Sequence, residues 1–113
     1  MISNNKAILQ QANAAIVAGN HEMFLSFCAD DSVWTFIGDK VLKGKEAIRR
    51  YMTTAYLEPP KFRVENLVAE GELLIATGKI SLKEENGEWI DYEYCDIWRF
   101  REGKMCELKA FVI

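Results

Sequence analysis

Three turn signals divide the second half of the chain into strand-length runs: Glu70-Gly71-Glu72, Asn86-Gly87 and Glu102-Gly103. Asn-Gly is the most telling, because a tight hairpin turn needs two residues in the left-handed backbone region. The intervals predict four antiparallel strands over residues 62–70, 72–84, 88–101 and 104–112. Several exceed the usual length of about five or six residues. Gly78, in the middle of the second, predicts a bulge or bend. Long bent strands can curl around something.

What they enclose is written in the first half. Ile8, Leu9, Ala12, Ala15 and Ile16 fall on one stripe of a helix over residues 3–18, with Gly19 as its stop. Asn20 is a good N-cap for a short second helix that buries Met23, Phe24, Phe27 and Cys28 and is ended by Asp30 and Asp31. Residues 32–37 are rich in β-branched and aromatic side chains and run into Gly38-Asp39, which reads as a strand entering a turn. Gly44 precedes a third helix to about Tyr56, with Ala47, Ile48, Tyr51, Met52 and Ala55 spaced for burial, and Pro59-Pro60 prevents its continuation. This order predicts an α+β domain whose helices cover the concave side of one curved, mainly antiparallel sheet. With 113 residues and no linker, repeat or low-complexity segment, residues 1–113 are expected to form one domain.

Alternation along the strands assigns the inward side chains. Phe62, Val64, Asn66 and Val68 are expected to face the helices, as are Leu74, Ala76, Gly78, Ile80 and Leu82, and Cys106, Leu108, Ala110 and Val112. On the strand between them the inward set is Ile90, Tyr92, Tyr94, Asp96, Trp98 and Phe100. One carboxyl thus interrupts an aromatic surface. Burying an unpaired ionised carboxylate is costly, so such a group finds a partner or takes up a proton. Asp96 is therefore the candidate catalytic acid. Trp34, Phe36, Tyr51, Asn66, Tyr92, Tyr94, Trp98 and Leu108 are candidates for lining an apolar pocket around it, with ordinary core packing the equal alternative for the aromatic ones. The outward set, Asp91, Glu93, Cys95, Ile97 and Arg99, suits either a face packed on a second subunit or a solvated one.

Composition closes off other classes. The net charge is -3 with no basic block, which gives nucleic-acid binding no support. The apolar runs are too short for a membrane span, and MISNNKAILQQANAAIV lacks the marks of a signal peptide, so a cytoplasmic protein with no membrane partner is expected. Cys28, Cys95 and Cys106 are an odd number without C-x-x-C spacing and read as free thiols. With one histidine, His21, at a helix start and no inward acidic cluster, neither a metal nor another cofactor is expected.

The segments GNHEMFLSFCADDSVW, LKGKEAIRRYM and YCDIWRFREGKM resemble, in order and spacing, the nuclear transport factor 2-like superfamily, in particular its SnoaL-like and ketosteroid-isomerase-like branches. The resemblance runs over nearly the whole chain. It implies a conical α+β barrel, commonly a homodimer, with a pocket inside the cone. It also implies that Asp96 stands where a ketosteroid isomerase has an oxyanion-hole aspartate, kept neutral by an apolar site so that it can donate a hydrogen bond. Two other isomerase groups do not carry over. The stretch from Ser32 to Phe36, where the general-base aspartate belongs, has no carboxylate, and residues 1–20 contain no tyrosine. Steroid isomerisation of that type is not expected. Two readings follow: a small-molecule protein or enzyme with protonated Asp96 donating to a carbonyl or enolate oxygen, or a non-catalytic dimeric binding or interaction domain.

Overall fold

The computed structural model describes residues 4–56 and 58–113. The chain runs α1 (Asn5–Val17), α2 (His21–Ser26), β1 (Cys28–Phe36), β2 (Lys40–Lys43), α3 (Lys45–Ala55), β3 (Lys61–Glu70), β4 (Leu73–Lys83), β5 (Trp89–Arg101) and β6 (Lys104–Val112). The six strands form one sheet in the order β2-β1-β6-β5-β4-β3. All neighbours are antiparallel except β1 and β6, which lie parallel because the chain crosses the whole sheet between them. The sheet curves without closing, and helices cover its concave side.

The expected meander is present with ends displaced by one residue at most. Asn20 caps α2, its Oδ1 accepting from the backbone N–H of Met23 at 3.1 Å. The Ser3 start of the expected first helix lies outside the described residues. Three local expectations are corrected. β2 is a strand for which the sequence reading had no element between the Gly38-Asp39 turn and Gly44, and it pairs with the end of β1. Helix α2 ends at Ser26, so Asp30 and Asp31 lie within β1 rather than ending the helix. There the ladder is irregular between Cys28 and Val33, and the two carboxylates meet Lys45 at 3.3 Å and Arg101 at 2.6 Å. Finally, α2 buries Phe24 and Leu25 and exposes Met23.

The remaining corrections concern facing, and each has a bulge as its cause. On β3, Val64 is opposite Gly78 and Asn66 opposite Thr77, so Glu65 is an extra residue. Every side chain beyond it changes sides, because strand side chains alternate. Leu67 and Ala69 therefore pack on the core, while Asn66 and Val68 turn outward and Val64, at the bulge, is exposed. On β6, Cys106 is the extra residue between the Arg99–Glu107 and Phe100–Met105 pairs. Met105 consequently enters the core and Cys106 is left half-buried at the edge of it.

The core joins α1 (Leu9, Ala12, Ala15), α2 (Phe24, Leu25) and α3 (Ile48, Met52) to Trp34, Leu74, Trp98, Phe100, Met105 and Leu108 of the sheet. At about 25 cal/mol per Å² of apolar area removed from water, this burial is the dominant force holding helices to sheet. Ser32, fully buried, satisfies its hydroxyl by donating to the Met105 carbonyl at 2.6 Å.

Candidate functional site

Asp96 is placed by the central strand of the meander. Its neighbours across the ladders are Ala76 on β4 and Ala110 on β6. One rung further, Tyr94 lies between Gly78 and Val112. Small side chains on both sides of the acid leave volume that the helices do not fill, and a cavity of ≈ 80 Å³ results. Helix α1 contributes Leu9, Asn13 and Ile16 to its wall, and α2 contributes Phe24. Tyr56, at the end of α3, and Pro60 close another side. The sheet supplies Phe36, Phe62, Ile80, Tyr94, Asp96, Trp98 and Leu108 among others.

No described residue hydrogen-bonds the Asp96 carboxyl. Although protein surrounds it, part of its surface is reachable through the cavity, which is why it counts as half-buried. Burial pushes its pKa from the ordinary 3.8 up to about 7, since little in the site compensates the loss of hydration of the charged form. Near neutral pH both the acid and its carboxylate are then populated. The two neighbouring hydroxyls behave differently. Burial, reinforced by the Asp96 charge, pushes Tyr94 up to about 12, and burial, reinforced by Tyr51 and then Asp96, raises Tyr56 as well. Both phenols remain protonated donors at neutral pH. The chemistry on offer is one titrating acid with fixed O–H groups near it.

Of the residues that the sequence reading singled out, the cavity brings together Asp96, Phe36, Tyr94, Trp98 and Leu108. Trp34 stands behind the wall, 3% exposed, with edge-on contacts to Phe24, Phe36 and Trp98 at 5.6, 6.2 and 6.1 Å. It fixes the wall without forming it. Tyr51 packs on Phe36 and Tyr56, with Lys40 Nζ 5.4 Å from its ring centroid. Tyr92 lies two rungs from Asp96 on the same face, paired with Ile80 and half-buried. Asn66 lies on the convex face, where its Nδ2 donates to Thr77 Oγ1 at 3.0 Å, so it is not a pocket residue. His21, read as a solvated helix start, is half-buried with its ring 6.5 Å from that of Tyr56.

Sequence reasoning missed Asn13 and Tyr56. Asn13 follows Leu9 by four residues and precedes Ile16 by three, so helical spacing puts it on the buried stripe. That spacing was the available signal. Among the described residues no group of three or more His, Cys, Asp or Glu side chains could hold a metal ion, and no helix is long and apolar enough to cross a membrane. The Cys28 thiol, pushed up to about 12 by burial, is a core side chain rather than a nucleophile.

A family model for the SnoaL-like domain matches residues 9–108. The chain belongs to the SnoaL-like domain family. Among solved structures, an epoxide hydrolase/cyclase-like enzyme of pyran ring formation in the polyether salinomycin matches with a TM-score of 0.89 and 15% identity, covering 97% of this chain and 91% of that one. An LEH-like epoxide hydrolase of M. tuberculosis gives 0.87 and 10%, with coverages of 97% and 83%. An NTF2-like protein of unknown function from Cytophaga hutchinsonii gives 0.77 and 19%, with coverages of 95% and 97%. At such identities these SnoaL-like and NTF2-like neighbours establish the fold alone. No curated protein matches the chain.

Proposed function

We propose that this SnoaL-like chain is a small-molecule enzyme in which Asp96 exchanges a proton with a carbonyl or enolate oxygen of an otherwise apolar ligand. The observation that carries the reading is the Asp96 carboxyl, which borders the cavity without a hydrogen-bond partner among the described residues and titrates at about 7. A general acid works best when its pKa lies near the working pH. As the neutral acid Asp96 donates to the oxygen and stabilises charge developing there; as the carboxylate it takes the proton back. Tyr56 and Tyr94 are positioned to orient the same ligand.

Isomerisation, aldol-type cyclisation, dehydration and epoxide opening all lie within reach of such an acid. Among the described residues no second carboxylate lines the cavity, so the other half of the proton transfer falls to Asp96 itself, to a water it holds or to a group on the substrate. The same feature favours a second reading, in which the cavity binds a carbonyl compound without turning it over. On either reading the protein is a cytoplasmic homodimer joined through the outer sheet face, where Val68, Ile75 and Ile97 form one apolar row across β3, β4 and β5.

A thermal-shift screen of apolar carbonyl compounds on wild type and Asp96→Asn tests the proposal. Stabilisation that depends on Asp96 is expected, because only a ligand that binds the folded state raises the midpoint. Equal shifts in both proteins would overturn the role of the acid. Turnover of a stabilising compound, followed by chromatography, separates enzyme from receptor.

A further inference from the structure

The enclosed volume is small for the ligand of such a site. Drug-sized molecules commonly occupy pockets of about 300–1,000 Å³, whereas the cavity at Asp96 has ≈ 80 Å³. It can take the head of a molecule and little more. What continues from it is a face of the β4–β5 hairpin. Past the rung of Gly78 and Tyr94, the next pairs on this side are Ile80–Tyr92 and Leu82–Ile90. Ile80 also forms part of the cavity wall, as do Phe62 from β3 and Val112 from β6. The strip therefore begins inside the cavity and leads outward.

Three properties distinguish this strip from ordinary surface. It is long, since six residues separate Asp96 from Ile90 and a strand rises about 3.3 Å per residue, giving about 20 Å. It is unfilled, because Ile90 and Val112 remain 38% and 40% exposed and Tyr92 and Leu82 are only half-buried. It is uncharged, for residues 76, 78, 80 and 82 on β4 and 90, 92 and 94 on β5 carry no ionisable group apart from the two tyrosine hydroxyls. Lys79, Asp91 and Glu93 of this hairpin belong to the other face by strand alternation, and at the hairpin's end Lys83 is neutralised by Glu58 at 3.0 Å.

We infer that the ligand is elongated: an unbranched or narrow apolar molecule whose carbonyl-bearing end enters the cavity at Asp96 while its body lies along the concave strip of Ile80, Leu82, Ile90 and Tyr92. This rests on the proposed role of Asp96 for the head and adds the class of the tail. The hairpin length selects chain length, and the absence of charge along it rejects ionic tails. Covering an exposed aliphatic strip with ligand removes apolar area on both sides, so each methylene that lies on it adds affinity.

The test uses straight-chain methyl ketones from butanone to dodecanone, with cyclohexanone as the compact control, titrated against the tryptophan fluorescence of wild type, Ile90→Ser, Leu82→Ser and Asp96→Asn. Trp98 borders the cavity and reports the head. In wild type, Kd is expected to fall by about fourfold per methylene, the equivalent of about 0.8 kcal/mol. Both serine variants should lose that gain for the longer chains while retaining the affinity of butanone. Asp96→Asn should weaken every ketone by one common factor. If the gain with length persists but Asp96→Asn changes nothing, the proton-donor reading fails and the strip stands. Tight cyclohexanone binding with no gain along the series overturns the elongated ligand and leaves Asp96 its role. No binding by any ketone overturns the inference, as does an unchanged slope in both serine variants. Should Ile90→Ser instead lower the sedimenting mass with the slope intact, a second copy covers the strip and the inference fails.

Discussion

Because burial moves the Asp96 carboxyl from 3.8 to about 7, the folded chain retains a proton between those values that the unfolded chain releases. Stability then falls as pH rises, since its slope follows the difference in protons bound by the unfolded and folded states. The full contribution is present below about pH 4, is lost on the way to 7 and is constant above it. At 1.36 kcal/mol per unit the ionised form costs at most about 4 kcal/mol, less where water entering the cavity screens it. Asp96→Asn removes the group that ionises. Its urea unfolding free energy should match wild type near pH 4 and exceed it by about 2–4 kcal/mol at pH 8. Taking the difference between the two proteins cancels the surface carboxylates Glu22 and Asp31, whose arginine partners lower their pKa and give the opposite slope. An advantage independent of pH would mean that the carboxyl ionises as freely folded as unfolded. A second residue-scale prediction lies in the β5–β6 turn, where Glu102 has φ 52° beside Gly103 at φ 79°. A left-handed backbone costs most L-residues about 1–2 kcal/mol, and asparagine bears it best. Glu102→Asn should raise stability by about 0.5–1 kcal/mol in thermal unfolding.

At the scale of the element, the two edges of β4 show how far alternation can be trusted. Towards β5 the ladder is regular over eleven pairs from Leu73–Arg99 to Lys83–Trp89, and of the inward set read from the sequence Leu74, Ala76, Ile80, Tyr94, Asp96, Trp98 and Phe100 face the core or cavity there, while Leu82, Ile90 and Tyr92 lie beyond it on the same side. Towards β3 it is broken by the extra Glu65, opposite the rung where Gly78 stands. A Cβ on Gly78 would lie 1.9 Å from the Arg63 carbonyl oxygen. The backbone of β3 occupies the space that any other residue would need. Gly78→Ala must therefore push the two strands apart at the bulge, and a loss of about 2–4 kcal/mol in urea unfolding is expected, in line with overpacking against rigid backbone. A loss under 0.5 kcal/mol would show that the bulge yields freely. The glycine announced the irregularity on β4, but nothing in β3 itself said that its partner would gain a residue. For the same reason Asn66 was expected in the pocket and lies outside, and Met105 exchanged places with Cys106. A bulge is decided by the pairing of two strands, whereas periodicity is read along one.

Across the whole molecule, the site was legible where strands supply it and obscure where helices do. Asp96, Tyr94 and Trp98 stand out as alternate residues of one run, but Asn13 is a polar residue on an otherwise ordinary helical stripe. Tyr56 falls beyond the helical phase of Tyr51. What the sheet leaves uncovered on its convex side bears on assembly. Val68, Ile75 and Ile97 form a row across three strands, and Cys95 and Phe111 pair on the adjoining rung. Val68, Ile75 and Phe111 are 58%, 37% and 37% exposed. Charged residues flank this apolar centre, with Arg99 3.9 Å from Glu72 and 3.5 Å from Glu107. An apolar centre inside a polar rim is the anatomy of a protein interface, and a face of this kind can meet its own copy about a two-fold axis. Ile75→Glu places a carboxylate in the middle of that row without touching the core. Sedimentation should show wild type at twice the chain mass and Ile75→Glu at the chain mass, with unchanged far-ultraviolet circular dichroism. Such a charge would repel its counterpart across the axis and would have to be desolvated for the faces to close, so one substitution is expected to suffice. A wild type that sediments as a monomer at every concentration would refute the dimer.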